Sequence, residues 1–363
     1  MDQSALFLFL GKCLAMDESP DAEAMVRQQL PAVPMKELLE VAITHSLLPA
    51  LWPVFSRHHL ISLLPAGVVP LLEQANSLNR EKNRRIMEQV ADIAVPFRKG
   101  GLHPVFLKGA GYLLQGLYAD SGERIMTDID MLVKEEEEER SVRLLRALGY
   151  DHLGNTLEGD YDEHRHLPPF VHPGGEVPVE LHRMPLHGDY AALLPVGEAH
   201  GHSQEAGMNG ARVLSVQHQQ VLHVFHERHH TRGKLDSLGT LRGMYDFHLL
   251  SRMRHPAPED VFLSGSRRKY EQYIATVNQV LGLLPKTGAA AYIGYAMFRF
   301  PGNYLGRQLF LMNHPWLNRL YFQGVYRPLY LAGLTLRSPF QSAYRRLLAK
   351  KWKKFLSKTP LSG

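Results

Sequence analysis

Apolar residues recur at intervals of three and four along most of the first 95 residues and again after residue 215, and between these stretches the interval shortens to two. The first rhythm sets one face of a helix against a core, and the second belongs to a half-buried strand. ALFLFLGKCLAM, MKELLEVAITHSLLPALWPVF and VVPLLEQANSLNREKNRRIMEQVADIAVPFRK therefore predict helices, separated by the Pro-bearing joints LPAVP and SLLPAG. Near residue 104 the pattern changes. PVFLK predicts a short strand, GAGYLLQGLYA a helix opened by glycines, DIDMLV a strand, and EEEEERSVRLLRALG an amphipathic helix with its acids where the helix dipole favours them. YDHLG, LPPFVHP and VPVELHRM predict further strands, with PGGEV turning between the last two. Helical period returns in LSVQHQQVLHVFHERHH, TLRGMYDFHLLSRM and YEQYIATVNQVLGLL. The fold class this predicts is α+β: a helical N-lobe over 1–95, a small α/β core over 96–190, a helical C-lobe over 191–285 and an extension over 286–363.

Composition changes this picture in two respects. With 363 residues, 45% of them apolar, the chain can bury a sizeable core, and its single cysteine, Cys13, leaves no internal disulfide and no thiolate zinc framework. A reducing cytoplasm is the expected location, since no basic n-region precedes the opening apolar run and no run reaches the ~18 apolar residues of a membrane span. Charge is segregated. No Asp or Glu follows Glu271, while thirteen Lys and Arg run from Lys286 to Lys358, so the net +5 hides about −8 on residues 1–271. Aromatic residues such as Trp316, Tyr321, Tyr344 and Trp352 are interleaved with that basic end, a mixture that suits RNA, an anionic membrane surface or an acidic partner.

The chemistry concentrates in the α/β core. Asp128 and Asp130 in MTDIDMLV stand two apart on a predicted strand and so point to one side. Convergent carboxylates are costly unless a divalent cation neutralises them, and Glu180 of VPVELHRM can complete the set from a neighbouring strand. Three such carboxylates suit one or two Mg²⁺ or Mn²⁺ ions and in-line phosphoryl or nucleotidyl transfer. Upstream, PVFLKGAGYLLQ runs strand, Lys108, Gly109, helix, which offers backbone N–H groups and a point charge to an anion, and Arg124 lies close enough in sequence to reach the same phosphates.

The ordered set FLKGAGYLL, GERIMTDIDMLV and VELHRM resembles a bacterial family of uncharacterised nucleotidyltransferases in the polymerase-β-like superfamily. The resemblance extends over roughly residues 1–250 and leaves the last hundred residues outside it. It implies a small mixed-sheet nucleotidyltransferase core between helical lobes, with Asp128, Asp130 and Glu180 as catalytic metal ligands and the Lys108-Gly109 turn, with Arg124, holding the triphosphate of an NTP such as ATP. His182 then belongs behind the ligands. The family often places an aromatic residue after the E-L-H segment, where this chain has Arg183.

One motif points elsewhere. HERHHTRGKLD has the spacing of a zinc-protease helix, with His226 and His230 one turn apart and Glu227 as base. Its apolar neighbours Val221, Leu222, Val224 and Phe225 suggest a packed helix instead, and the carboxylates of the core outweigh it. The expected activity is transfer of an NMP group from an NTP to an acceptor hydroxyl with release of pyrophosphate. The alternatives are a degenerate nucleotide-binding module that docks a partner through its basic tail, and a zinc metalloprotease. Acceptor choice lives in the lobes, so protein, RNA and small molecule all stay open.

Overall fold

The computed structural model describes residues 1–152, 166–207, 210–230, 239–253 and 266–283, with positions 309 and 313, and excludes the side chains of 189, 229 and 230. The chain divides into two compact units, Met1–His230 with Gly239–Pro301, and Thr231–Leu238 with Gly302–Gly363. Almost all of the second, including the basic extension, lies outside the described residues. Every helix and strand described below belongs to the first unit.

Five helices open that unit: α1 (Gln3–Leu14), α2 (Pro20–Gln29), α3 (Met35–Thr44), α4 (Leu48–Arg57) and α5 (Val69–Lys99). The run MKELLEVAITHSLLPALWPVF, predicted as one helix, is two that meet at a bend of 120°. Ser46 takes the left-handed conformation (φ 57°) and Pro49 sits at the second position of α4, where a helix begins but does not continue. The apolar stripe of α2 is too thin to announce a helix in the sequence: of its ten residues only Ala22 and Val26 are buried. Among the described residues no single helix is long and apolar enough to cross a membrane, and only the bent α3–α4 pair matches a span by length and composition.

The sheet comes next along the chain. Its strands are β1 (Val105–Phe106), β2 (Ile129–Leu132), β3 (Asp151–His152), β4 (Phe170–Val171), β5 (Val179–His182), β6 (Ser203–Glu205) and β7 (Arg212–Leu214), in the order β3-β4-β5-β2-β1-β7-β6. It is mixed: β2 runs parallel to β5 and antiparallel to β1, while β1 runs parallel to β7. The last two strands fall in a stretch that reads as helical by its flanks; three residues each are too short to carry a period. Between strands lie α6 (Lys108–Leu114), α7 (Glu138–Ala147) and α8 (Val196–Gly201), and α9 (Val216–His230), α10 (Leu241–Arg252) and α11 (Ser266–Leu281) complete the unit.

One side of the sheet is apolar. Ile129, Met131, Val179 and Leu181 pack with Ile86, Val90, Ile93 and Phe97 of α5 and Leu145 of α7. Side chains alternate along a strand, so this burial sends Asp130, Glu180 and His182 to the opposite side. α6 lies close to β1: a methyl on Gly111 would come within 2.7 Å of the Phe106 carbonyl oxygen, whereas one on Gly109 would meet the Met126 sulfur at 2.8 Å. A thioether can swing aside and a strand backbone cannot. Gly111→Ala is therefore expected to cost about 1–3 kcal/mol in urea unfolding and Gly109→Ala less than about 1. Equal losses at the two positions would contradict this packing.

Candidate active site

The site sits where β2 and β5 run side by side. Their parallel register sets Asp130 against Glu180 and Leu132 against His182. Lys108 reaches down from the start of α6 and places Nζ 2.7 Å from Asp130 Oδ1. It does so from a left-handed backbone (φ 46°), which a lysine adopts at a cost of about 1 kcal/mol or more. Strain of that kind persists only where the surroundings demand the position, and here the demand is a charge beside Asp130.

His182, completely buried, has Nε2 2.5 Å from Asp130 Oδ1 and 3.5 Å from Glu180 Oε2. Neither of its ring nitrogens makes a hydrogen bond of acceptable geometry among the described residues. Nε2 therefore sits against Asp130, with Glu180 farther off. Asp130, Glu180 and His182 each offer a ligand atom, all within 4.8 Å of one another. Two carboxylates and an imidazole this close fit a divalent cation, which would neutralise the carboxylates while the imidazole could join its coordination. Counting Asp128 with them, three carboxylates against the one ammonium of Lys108 leave a formal charge of −2, which a divalent ion would cancel.

Asp128 precedes the strand and is only partly buried. Burial and the neighbouring Asp130 charge raise its carboxyl above the usual range, with Glu180 adding to them and Lys108 opposing. Asp130 goes the other way. Burial would raise it, but Lys108 and His182 hold it well below the usual carboxylate range. Glu180 is also lowered, because His182 and His166 outweigh its burial. A carboxyl whose folded pKa is raised adds stability below 3.8 and loses that contribution as pH rises through the folded value. Asp128→Asn is thus expected to stabilise the protein at neutral pH, by on the order of 1 kcal/mol, and to lower activity. A variant less stable than wild type at pH 7 would contradict this account.

Arg124 does not lie open beside these groups. It is buried, its Nε is 3.1 Å from Asp246 Oδ2 of α10, and its nearest Nη atom would be 3.9 Å from a methyl on Gly109. Tyr118 donates its hydroxyl hydrogen to the same aspartate. Arg242, two residues into α10, has a lowered pKa, chiefly because of the Arg124 charge, and its Nε has no hydrogen-bond partner among the described residues. Arg183, which stands where the family often has an aromatic residue, is bonded to Glu138 of α7 at 2.5 and 2.9 Å.

Sequence reasoning missed what holds the segment leading to Asp128. Asn76, Asn79 and Asn83 form one buried stripe on α5. Asn79 donates to the carbonyls of Gly122 and Arg124 (2.8 and 3.1 Å), and Asn83 to those of Ser121 and Arg124 (2.5 and 2.7 Å). Asn76 donates to Pro49 O at 3.1 Å. The sequence signal was available: three asparagines at helical spacing are poor helix formers and need a reason to be there.

The HERHH motif closes α9. Glu227 faces the start of α10, where a methyl on Gly243 would lie 2.8 Å from its carboxyl carbon. Its negative charge there favours the helix dipole. The side chain of His230 lies outside the described residues.

The profile of a protein family described as an uncharacterised nucleotidyltransferase matches residues 31–265, nearly two thirds of the chain. The chain belongs to that nucleotidyltransferase family. Comparison with curated proteins and with solved structures returns no match. The nucleotidyltransferase match includes α3 to α10, the whole sheet, and every site residue named above. A transferase of this kind takes a nucleoside triphosphate as substrate and typically uses divalent metal, and Asp130, Glu180 and His182 form a group able to hold one.

Proposed function

We propose that the protein transfers an NMP group from an NTP, ATP being the first candidate, to an acceptor hydroxyl and releases pyrophosphate. The observation that carries this reading is the pairing of Asp130 with Glu180 across β2 and β5, with the ammonium of Lys108 on Asp130 and His182 Nε2 within 3.5 Å of both carboxylates. Asp130 and Glu180, with Asp128 beside them, would hold Mg²⁺ or Mn²⁺, which when bound supplies Lewis-acid compensation for charge developing on the phosphates. The acceptor oxygen attacks the α-phosphorus, the bond to the bridging oxygen breaks, and pyrophosphate leaves. Glu180 takes the acceptor proton, since its side chain is 19% exposed against 3% for Asp130. Lys108 and the amide of Gly109 bind the phosphates, and Arg124 supports that charge from behind Gly109. The basic extension draws an anionic acceptor or surface towards the protein.

The test is incubation of the full chain with each NTP labelled at the α-phosphate, Mg²⁺ or Mn²⁺, and candidate protein, RNA and small-molecule acceptors. Label transfer that disappears in Asp128→Ala/Asp130→Ala supports the reading. Metal-dependent nucleotide binding without transfer would instead identify a nucleotide-binding module, and cleavage of a peptide substrate dependent on His226 would identify a protease.

A further inference from the structure

Arg242 is a charge that the reaction as described leaves idle. It is the second residue of α10, its Nε is shut off from solvent without a hydrogen-bond partner, and no carboxylate comes within ion-pair distance of its guanidinium among the described residues. An arginine keeps its charge when buried, so the absence of a partner needs a reason. Asp246 stands one helical turn further along the same face of α10. It is already engaged: Arg124 Nε lies 3.1 Å from its Oδ2, and Tyr118 donates its hydroxyl hydrogen to Oδ1. Glu227 lies against the first turn of α10 and attracts Arg242 without touching it, and the Arg124 charge outweighs both carboxylates. Arg124 in turn donates from Nη1 to the Ile125 carbonyl oxygen, while its Nη2 lies 3.9 Å from the point where a methyl on Gly109 would stand. Two guanidiniums thus share one engaged carboxylate beside the lysine–glycine turn. Like charges held together away from water call for an anion between them.

We infer that Arg242, together with Arg124, seats the terminal phosphate of the nucleotide and makes the protein prefer a triphosphate to a diphosphate. The inference rests on the nucleotidyl-transfer reading of the same site and adds to it a residue that selects the substrate. A terminal phosphate carries three oxygens and up to two charges, and a guanidinium is a planar fork of donors, so one phosphate group can take hydrogen bonds from both arginines and remove their repulsion. A diphosphate ends one group short and leaves the pair uncompensated. Lysine at position 242 would keep the charge and lose the fork.

The experiment is calorimetric titration of the full chain, with Mg²⁺ present, using the α,β-methylene analogues of ATP and ADP, which cannot donate a nucleotidyl group. The wild type should bind the triphosphate about tenfold or more tightly than the diphosphate, the scale of one charge-assisted contact. Arg242→Gln should abolish that preference while holding diphosphate affinity within about twofold, and Arg242→Lys should fall between the two. The urea midpoint of Arg242→Gln should be no lower than that of the wild type, because the change removes an unpaired charge beside Arg124. A preference left intact in Arg242→Gln, equal losses for both analogues, or a lowered urea midpoint would each overturn the inference. Should that variant fail to fold, Arg242→Lys decides: a reduced preference supports the seat and an unchanged one overturns it. Label transfer by the wild type, with a triphosphate preference that Arg242→Gln does not move, would sink the seat and leave the transferase reading standing. A preference that depends on Arg242 in a protein that transfers no nucleotide would do the reverse.

Discussion

Asp130→Asn is expected to lower nucleotidyl transfer on the order of a thousandfold, the scale on which loss of one central electrostatic group slows charge-dominated chemistry. The effect has two parts that can be separated. Asn cannot neutralise a cation, so chemistry is lost. It also leaves the ammonium of Lys108, only 16% exposed, without its 2.7 Å partner. Breaking one half of a buried pair costs about 3–5 kcal/mol. The double variant Asp130→Asn/Lys108→Met should regain most of that stability and none of the activity. Acid behaviour checks the same charge. Because the folded pKa of Asp130 is lowered, its contribution is complete above 3.8 and is lost as pH falls towards the folded value. The variant should lack that part of the acid unfolding profile. Transfer by Asp130→Asn above a tenth of the wild-type rate, normalised to folded protein, would exclude Asp130 from the reaction.

The second large effect lies away from the carboxylates. Asp246→Ala should destabilise the protein by about 3–5 kcal/mol, because it strands the buried guanidinium of Arg124 and removes the acceptor of the Tyr118 hydroxyl. Like charge makes matters worse, since Arg242 already feels Arg124. A pair of apolar replacements, Arg124→Leu with Asp246→Leu, should unfold at higher urea than Asp246→Ala alone. If the single and double variants unfold together, the ion pair is not what Asp246 contributes. Activity tells a further thing about the same pair: a double variant that is stable but has a much raised KM for the nucleotide would place Arg124 at the phosphates.

How much of this was legible depends on distance along the chain. The period of a strand sets Asp130 beside Glu180, but Asp128 lies just before β2, and the ligand atoms that come within 4.8 Å of one another are those of Asp130, Glu180 and His182. Lys108 could be placed near them because a strand, a lysine and a glycine-led helix succeed one another within a few residues. His182 reads as lying behind the ligands, since one histidine on a strand is more often packed than bonded, and only the approach of its Nε2 to 2.5 Å from Asp130 reveals how close it lies. The pairing of Arg124 with Asp246 spans more than a hundred residues and leaves no local trace. The asparagine stripe of α5 is visible as letters, but its carbonyl partners lie some forty residues on and have no mark in the sequence. Strands β6 and β7 were too short to announce themselves.

Glu123 adds a constraint on how this protein can change over evolutionary time. Its buried carboxylate receives Arg57 of α4 at 3.0 Å and the Tyr245 hydroxyl of α10 at 2.6 Å, from partners 66 and 122 residues away. One acidic side chain on the approach to the D-x-D thus answers to the opening helices and to the closing ones. A lineage that exchanged either lobe for an unrelated one would strand a charge one residue from Arg124. Recombination at the lobe boundaries should therefore yield inactive hybrids unless position 123 changes with them, and new acceptors are more readily gained by drift within the lobes than by their replacement.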